Sequence, residues 1–143
     1  YNNRWFLFGY NPDREKYDWN LPLDRIIGIS ETQEEYRLNT EIDWNDYFDD
    51  IIGVTKPERS KPEKIILHFY GKTGHYISSK PIHGYQKHRW IDSDTLEVNL
   101  NLIVNYELER FILSYADSVK VIQPFSLAEK IKERITNAYE GLL

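Results

Sequence analysis

Thr95-Leu96-Glu97-Val98-Asn99-Leu100-Asn101-Leu102 alternates apolar and polar side chains without a break. A strand turns successive side chains to opposite faces, so Leu96, Val98, Leu100 and Leu102 share one face and Glu97, Asn99 and Asn101 the other. One face is therefore dry and the other wet. Asp92-Ser93-Asp94 just before it is a turn cluster, so Tyr85 to Ile91 and Thr95 to Ile103 are expected as the two arms of a hairpin. Lys64 to Tyr70 alternates as a further strand, and Gly71 to Lys80 reads as a weakly amphipathic helix with Tyr76 and Ile77 inward. After the hairpin, Asn105 caps a helix whose Leu108, Phe111, Ile112 and Tyr115 recur at i, i+3, i+4 and i+7. Ser118 to Gln123 is a last strand. Ser126 and Glu129 then form a capping box for a final helix with Leu127, Ile131, Ile135, Ala138 and Leu142 on one stripe.

The order β-α-β-β-α-β is the ferredoxin-like pattern, here with an extra C-terminal helix. It predicts one four-stranded antiparallel sheet over Lys64 to Gln123, with Lys64 to Tyr70 inside it and the helices on one face. The fold class is α+β, and residues 63–143 form its second module.

The first part of the chain reads differently. Arg4 to Tyr10 is an apolar run with Trp5, Leu7 and Gly9 on one face and Phe6, Phe8 and Tyr10 on the other. Asn11-Pro12-Asp13-Arg14 is a turn, and a further strand is expected to open at Leu23 after Pro22. Two apolar faces suit a barrel wall covered from outside, so Trp5 and Phe6 are expected in a core. Residues 31–42 are polar and aperiodic. Asp43 is placed as the N-cap of a short helix over Trp44 to Ile51 that stops at Gly53. Pro57, Ser60 and Pro62 punctuate a boundary, giving segments 1–42, 43–62 and 63–143.

Composition narrows the function classes. The chain has 143 residues, no cysteine and no methionine. Without cysteine there are no disulfides, thiolate nucleophiles or Cys-ligated zinc, and a reducing cytoplasm is the expected compartment. No apolar run is long enough for a membrane helix, and no signal peptide opens the chain. The net charge of −5 conceals an asymmetry. Glu31 to Asp50 carries eight acids against the single base Arg37, whereas Lys64 to Ile91 has five bases, all four histidines and no acid. A chain polarised in this way can grip an anion on one face despite its acidic total, or present two solvated faces of opposite sign.

Two motif sets resemble known families. Trp5-Phe6-Leu7 followed by Leu23-Asp24-Arg25-Ile26 resembles the WYL domain, a small Sm-like (SH3-like) β-barrel of bacterial transcription regulators, with Phe6 where the family triplet has Tyr. Pro81-Ile82-His83-Gly84-Tyr85-Gln86, the hairpin, Ile112-Leu113-Ser114-Tyr115 and Val119 to Pro124 resemble the WCX module that follows it. Tyr85 and Tyr115 depart from the usual Ser and Gly of that pattern. The resemblance implies a partial barrel joined to the ferredoxin-like module. With Tyr1 leading almost directly into a strand and no methionine, it also implies a piece of a regulator whose DNA-binding helix-turn-helix precedes it.

The expected role is effector sensing and oligomerisation, as a homodimer, with a nucleic-acid or nucleotide-like anion as ligand. A structural dimerisation module without ligand is the rival reading. Arg25 matches the family's pocket arginine, while Pro22 replaces another arginine of that pocket. The competing reading pairs Arg25 with Asp24 or a neighbour. Lys80, His83, Gln86, His88 and Arg89 offer donors for phosphate and base edges, with Tyr85 and Trp90 as stacking faces. Gln86, His88 and Trp90 fall on one side of their strand and Tyr85, Lys87 and Arg89 on the other, so one set must face the helices. Catalysis is not expected, because no acid lies near His83 or His88 to orient a general base. No cofactor or metal is expected either: the histidines lack ligand spacing, and the glycines form no phosphate loop.

Overall fold

A computed structural model describes residues 1–142. The chain packs as two compact units that divide between Asp49 and Asp50.

The second unit is built as its alternation dictates. Its elements run β3 (Glu63–Tyr70), α1 (Gly71–Ser79), β4 (Lys87–Trp90), β5 (Thr95–Leu102), α2 (Tyr106–Leu113), β6 (Val119–Gln123) and α3 (Phe125–Glu140). The sheet order is β4-β5-β3-β6, with every neighbouring pair antiparallel. This is the ferredoxin-like arrangement, and β3 lies inside it as predicted.

Ile65, Leu67 and Phe69 of β3 stand beside Leu100, Val98 and Leu96 of β5, and all six are buried. They form one cluster with Ile77 of α1, Leu108 and Ile112 of α2, and Leu127 and Ile131 of α3. All three helices therefore cover the same sheet face. At roughly 1.5 to 3 kcal/mol per fully buried large apolar side chain, that layer is the main stabilising term of the unit. Gly74 lets α1 approach closely, since a Cβ there would sit 3.1 Å from the Trp90 ring and 3.2 Å from the Phe69 carbonyl oxygen.

Several local expectations are corrected. Tyr76 is exposed rather than inward; only Ile77 turns into the core. The strand expected from Tyr85 is shorter, because Gln86 is held in the preceding loop, where its Oε1 accepts from Ile82 N at 2.9 Å. Ser126 does not cap α3: the helix starts at Phe125 after Pro124 and has no side-chain cap, which places Ser126 inside its first turn. Ile135 lies on α3 but remains exposed, and Leu142, expected on the same stripe, falls beyond the helix end at Glu140 and is exposed too.

The segment Asp50 to Lys56 belongs to this unit and closes the N-terminus of α2. Ile103 N donates to Asp50 O at 2.7 Å. The Asn105 amide Nδ2 donates to Ile52 O at 2.7 Å and Thr55 O at 2.8 Å, while its Oδ1 accepts from Leu108 N at 2.9 Å. Asn105 is thus the helix cap the sequence predicts and also a clamp on a segment 50 to 53 residues earlier in the chain. Thr55 Oγ1 donates to the buried Glu107 carboxylate at 2.7 Å. Buried Glu109 is neutralised by two cations of α3, Lys130 at 2.6 Å and Arg134 at 2.9 Å.

The first unit contains a single hairpin, β1 (Phe6–Asn11) with β2 (Lys16–Pro22), and no closed barrel. The strand expected from Leu23 is instead a 3-10 turn, Leu23–Arg25, in which Ile26 N donates to Leu23 O. Beyond it, residues 26–42 carry no strand or helix. Ile26 is extended, but a strand needs a hydrogen-bonded neighbour and none is paired with it here.

The helix expected at Trp44 to Ile51 is a run of turns. Asp43 does accept from Asn45 N at 2.9 Å, and Tyr47 N reaches Asp43 O. Asp49 N then turns to Asp46 O, a shorter i to i+3 link. Asp43, Asp46, Asp49 and Asp50 would stack like charges at helical spacing. The aromatic side chains decide the local conformation: Trp44, Tyr47 and Phe48 all pack edge-on against Phe8 at 5.3 to 6.0 Å. Tyr47 Oη also donates to Asp18 at 2.7 Å. One face of the hairpin is covered in this way. The other is not, and Trp5, expected in a core, is 81% exposed.

Candidate functional site

The six residues singled out in the sequence are divided between the two units, Arg25 in the first and the other five in the second. Gln86 and His88 face the helix layer. The Gln86 Nε2 reaches Ile77 O at 3.4 Å and His88 Nδ1 at 3.3 Å, and His88 Nε2 lies 3.2 Å from Ser78 Oγ. These contacts staple the loop after α1 to its last turn. Trp90, on the same side, stacks on His75 at 4.5 Å.

Lys80 and His83 lie in that loop. The Lys80 ammonium sits over the Tyr76 ring at 5.7 Å, and His83 Nδ1 accepts from Tyr85 N at 3.3 Å. Arg25 is in the first unit. Asp24 is not its partner: Asp24 pairs with Arg4 at 3.5 Å. Among the described residues the exposed Arg25 guanidinium has no carboxylate within ion-pair distance. Arg89 alone lands on a charged surface that several strands build together.

That surface is the sheet face opposite the helices. Register places Arg89 of β4, Glu97 of β5, His68 of β3 and Lys120 of β6 side by side in a row that crosses all four strands. A second row beside it is Lys87, Asn99, Ile66 and Gln123, and Lys64 stands next to Asn101 beyond that. Tyr70 opens the other end of the face. Four permanent cations and one histidine thus meet a single carboxylate among these paired residues. The open face is basic in a chain whose total charge is −5.

Glu97 is the hub of the row. Its Oε1 accepts from Arg89 Nε at 2.9 Å and Asn99 Nδ2 at 3.3 Å, and its Oε2 lies 3.3 Å from His68 Nε2. The hydrogen bond from the Arg89 guanidinium, followed by that from His68, holds the carboxyl below the usual glutamate range. At one end of the hairpin, Asp92 Oδ1 accepts from the backbone of Asp94 at 2.8 Å and Thr95 at 2.7 Å. The Asp94 hydrogen bond leads the causes that keep Asp92 more acidic than an ordinary aspartate. This carboxylate is a turn-former.

Sequence reasoning found the wet side of β5 and the bases of β3 and β4. It missed His68 and Lys120 as partners in one row. The alternation of Val119, Lys120 and Val121 carries the signal for Lys120, but its position opposite His68 depends on the pairing of β6 with β3, and a register shift between Ile66 and Leu67 is what sets Gln123 opposite Ile66. Among the described residues no group of His, Asp and Glu is gathered to hold a metal ion, and no helix is long and apolar enough to cross a membrane.

The fold and its open basic face define a class, a ferredoxin-like α+β module with an added C-terminal helix. The WCX domain family model matches residues 61–139, more than half of the chain, and the chain belongs to that family. No curated protein matches the sequence.

Proposed function

We propose that the chain is the effector-sensing and oligomerisation region of a bacterial helix-turn-helix transcription regulator, and that its effector is a nucleic-acid or nucleotide-like anion. The observation that carries the reading is the clustering of Lys64, His68, Lys87, Arg89 and Lys120 on one open sheet face of a WCX domain. A surface of that charge in an acidic chain attracts a polyanion by releasing the counterions condensed on it. The WYL-like residues Trp5-Phe6-Leu7 and Leu23-Asp24-Arg25-Ile26 support a regulator context, and the unpaired Arg25 guanidinium suits a second anion contact.

Homodimer formation belongs to the same reading. The exposed Trp5, Ile27 and Ile29 side chains of the first unit support association, since each is apolar and would lose contact with water against a partner. DNA binding would reside in a helix-turn-helix outside this chain, and effector binding would shift the dimer between two geometries.

The test is a titration of the chain with a labelled oligonucleotide and with nucleoside triphosphates at low and rising salt. Saturable binding that weakens steeply with salt supports the reading. Absence of binding to any of them at low salt, with a dimer still present, favours a purely structural dimerisation module.

A further inference from the structure

The geometry points to a more specific assignment, resting on the anion-sensing reading above: the open sheet face binds the phosphodiester backbone of a single-stranded nucleic acid, with Glu97 as a built-in competitor for its cations. Three observations support it.

Spacing decides the size of the anion. Arg89 and Lys120 stand at opposite ends of a row of four strands. Three interstrand steps of about 4.8 Å put them about 14 Å apart at the backbone. One phosphate cannot bridge that span, whereas a chain of regularly repeated phosphates can. The cations also occupy both rows, so a polymer crossing the sheet meets several in succession.

The neutral groups decide its kind. Asn99, Asn101 and Gln123 line the same face. Each carboxamide offers a donor and an acceptor, as a base edge requires. Tyr70, partly exposed at the end of the face, supplies a ring on which a base can stack. An acidic peptide would use the cations but leave these groups idle.

Glu97 decides the selectivity. In the unliganded chain it occupies Arg89 and His68 together. A ligand phosphate must draw Arg89 away from it, and an isolated weak anion gains too little from one contact to do so. A strand that engages Lys64, Lys87 and Lys120 at the same time gains enough. Removing the charge of Glu97 should therefore tighten binding and relax the preference for polymers.

The experiment is fluorescence anisotropy of a labelled twelve-nucleotide thymidine strand with the whole chain. The variants are Glu97→Gln, Lys87→Ala with Arg89→Ala, Lys120→Ala, Arg25→Ala and Glu133→Gln. Glu133 is exposed on α3, so its variant makes the same charge change away from the face. Glu97→Gln should tighten binding at least several-fold, and Glu133→Gln should leave it within about twofold. The Lys87/Arg89 double variant should weaken binding and lower the salt slope by about 1.4, at about 0.7 per phosphate contact on a single strand. Lys120→Ala should lower it by about 0.7. Thymidine monophosphate should compete only at far higher concentration.

Equal effects of Glu97→Gln and Glu133→Gln would reduce the face to net charge and overturn the proposal, as would efficient competition by a polyglutamate peptide. Loss of binding in Arg25→Ala with the double variant unaffected would also overturn it, while leaving the sensing function intact. No binding of any nucleic acid or nucleotide would remove both.

Discussion

Arg89 Nε donates to Glu97 Oε1 at 2.9 Å across the β4–β5 pair, yet the Arg89 side chain is 71% exposed and that of Glu97 only 15%. The arginine therefore keeps most of its surface in water while the carboxylate is enclosed by donors. An exposed ion pair contributes little to stability, and the guanidinium remains available to a competing anion. Arg89→Ala should leave the denaturation midpoint almost unchanged while weakening anion binding. A large loss of stability with binding intact would make Arg89 a structural residue.

The pH dependence has a definite sign. Glu97 is more acidic in the folded chain than an ordinary glutamate, because of Arg89 and then His68. Its contribution is thus present above the unfolded value and is lost as pH falls from there through the folded value. Asp92 shifts in the same direction and shares the acid limb. Glu97→Gln should flatten that limb in part, with denaturation followed by circular dichroism across acidic pH as the measurement. An unchanged acid limb would mean that the row does not hold Glu97 ionised.

Asn105 joins three backbone groups through one side chain. Asn105→Ala strands the Ile52 and Thr55 carbonyls and uncaps α2, which should cost about 2 to 4 kcal/mol in chemical denaturation. Asn105→Asp keeps the cap but loses both donors, so it should fall between the two. If the Ala variant were as stable as the parent, the segment before β3 would have no role in closing α2.

Gly53 has φ +84°, and a Cβ there would lie 2.6 Å from Glu107 Cγ. Strain and contact act together at this position, so Gly53→Ala should destabilise the second unit by about 1 to 3 kcal/mol. Thermal unfolding of the two proteins checks this.

Because Asp50 to Lys56 is hydrogen-bonded to Ile103, Asn105 and Glu107, the second unit begins earlier than the family match at residue 61. A chain starting at Asp50 should fold cooperatively. One starting at Lys61 should retain the sheet with a clearly lower melting temperature. Equal melting temperatures would place the boundary after residue 56.

Much of the second unit was legible because its strands have one dry face: the alternation from Leu96 to Leu102 fixes both the element and the side that meets the helices. The i, i+3, i+4 pattern of Leu108, Phe111 and Ile112 does the same for α2. The first unit was less legible. Its Leu-Asp-Arg-Ile stretch depends on a strand neighbour that sequence does not supply, and Trp44, Tyr47 and Phe48 were read by helix capping when packing against Phe8 sets their conformation.

The site was half legible for a similar reason. Composition showed a basic stretch from Lys64 to Ile91, but facing is a property of the sheet. Strand parity sends His88 to the helix side and Arg89 to the open side, and only cross-strand register brings in Lys120 from outside the stretch.

The most direct test of the account is where an anionic strand touches the chain. Amide and side-chain chemical shifts of the isotopically labelled protein, titrated with a short thymidine strand at low salt, should move for Lys64, His68, Lys87, Arg89, Glu97 and Lys120, while the core residues Leu67 and Val98 stay largely unmoved. Shifts confined to the helix-side residues Ser78, His83 and His88, or absent throughout at saturating strand, would contradict it.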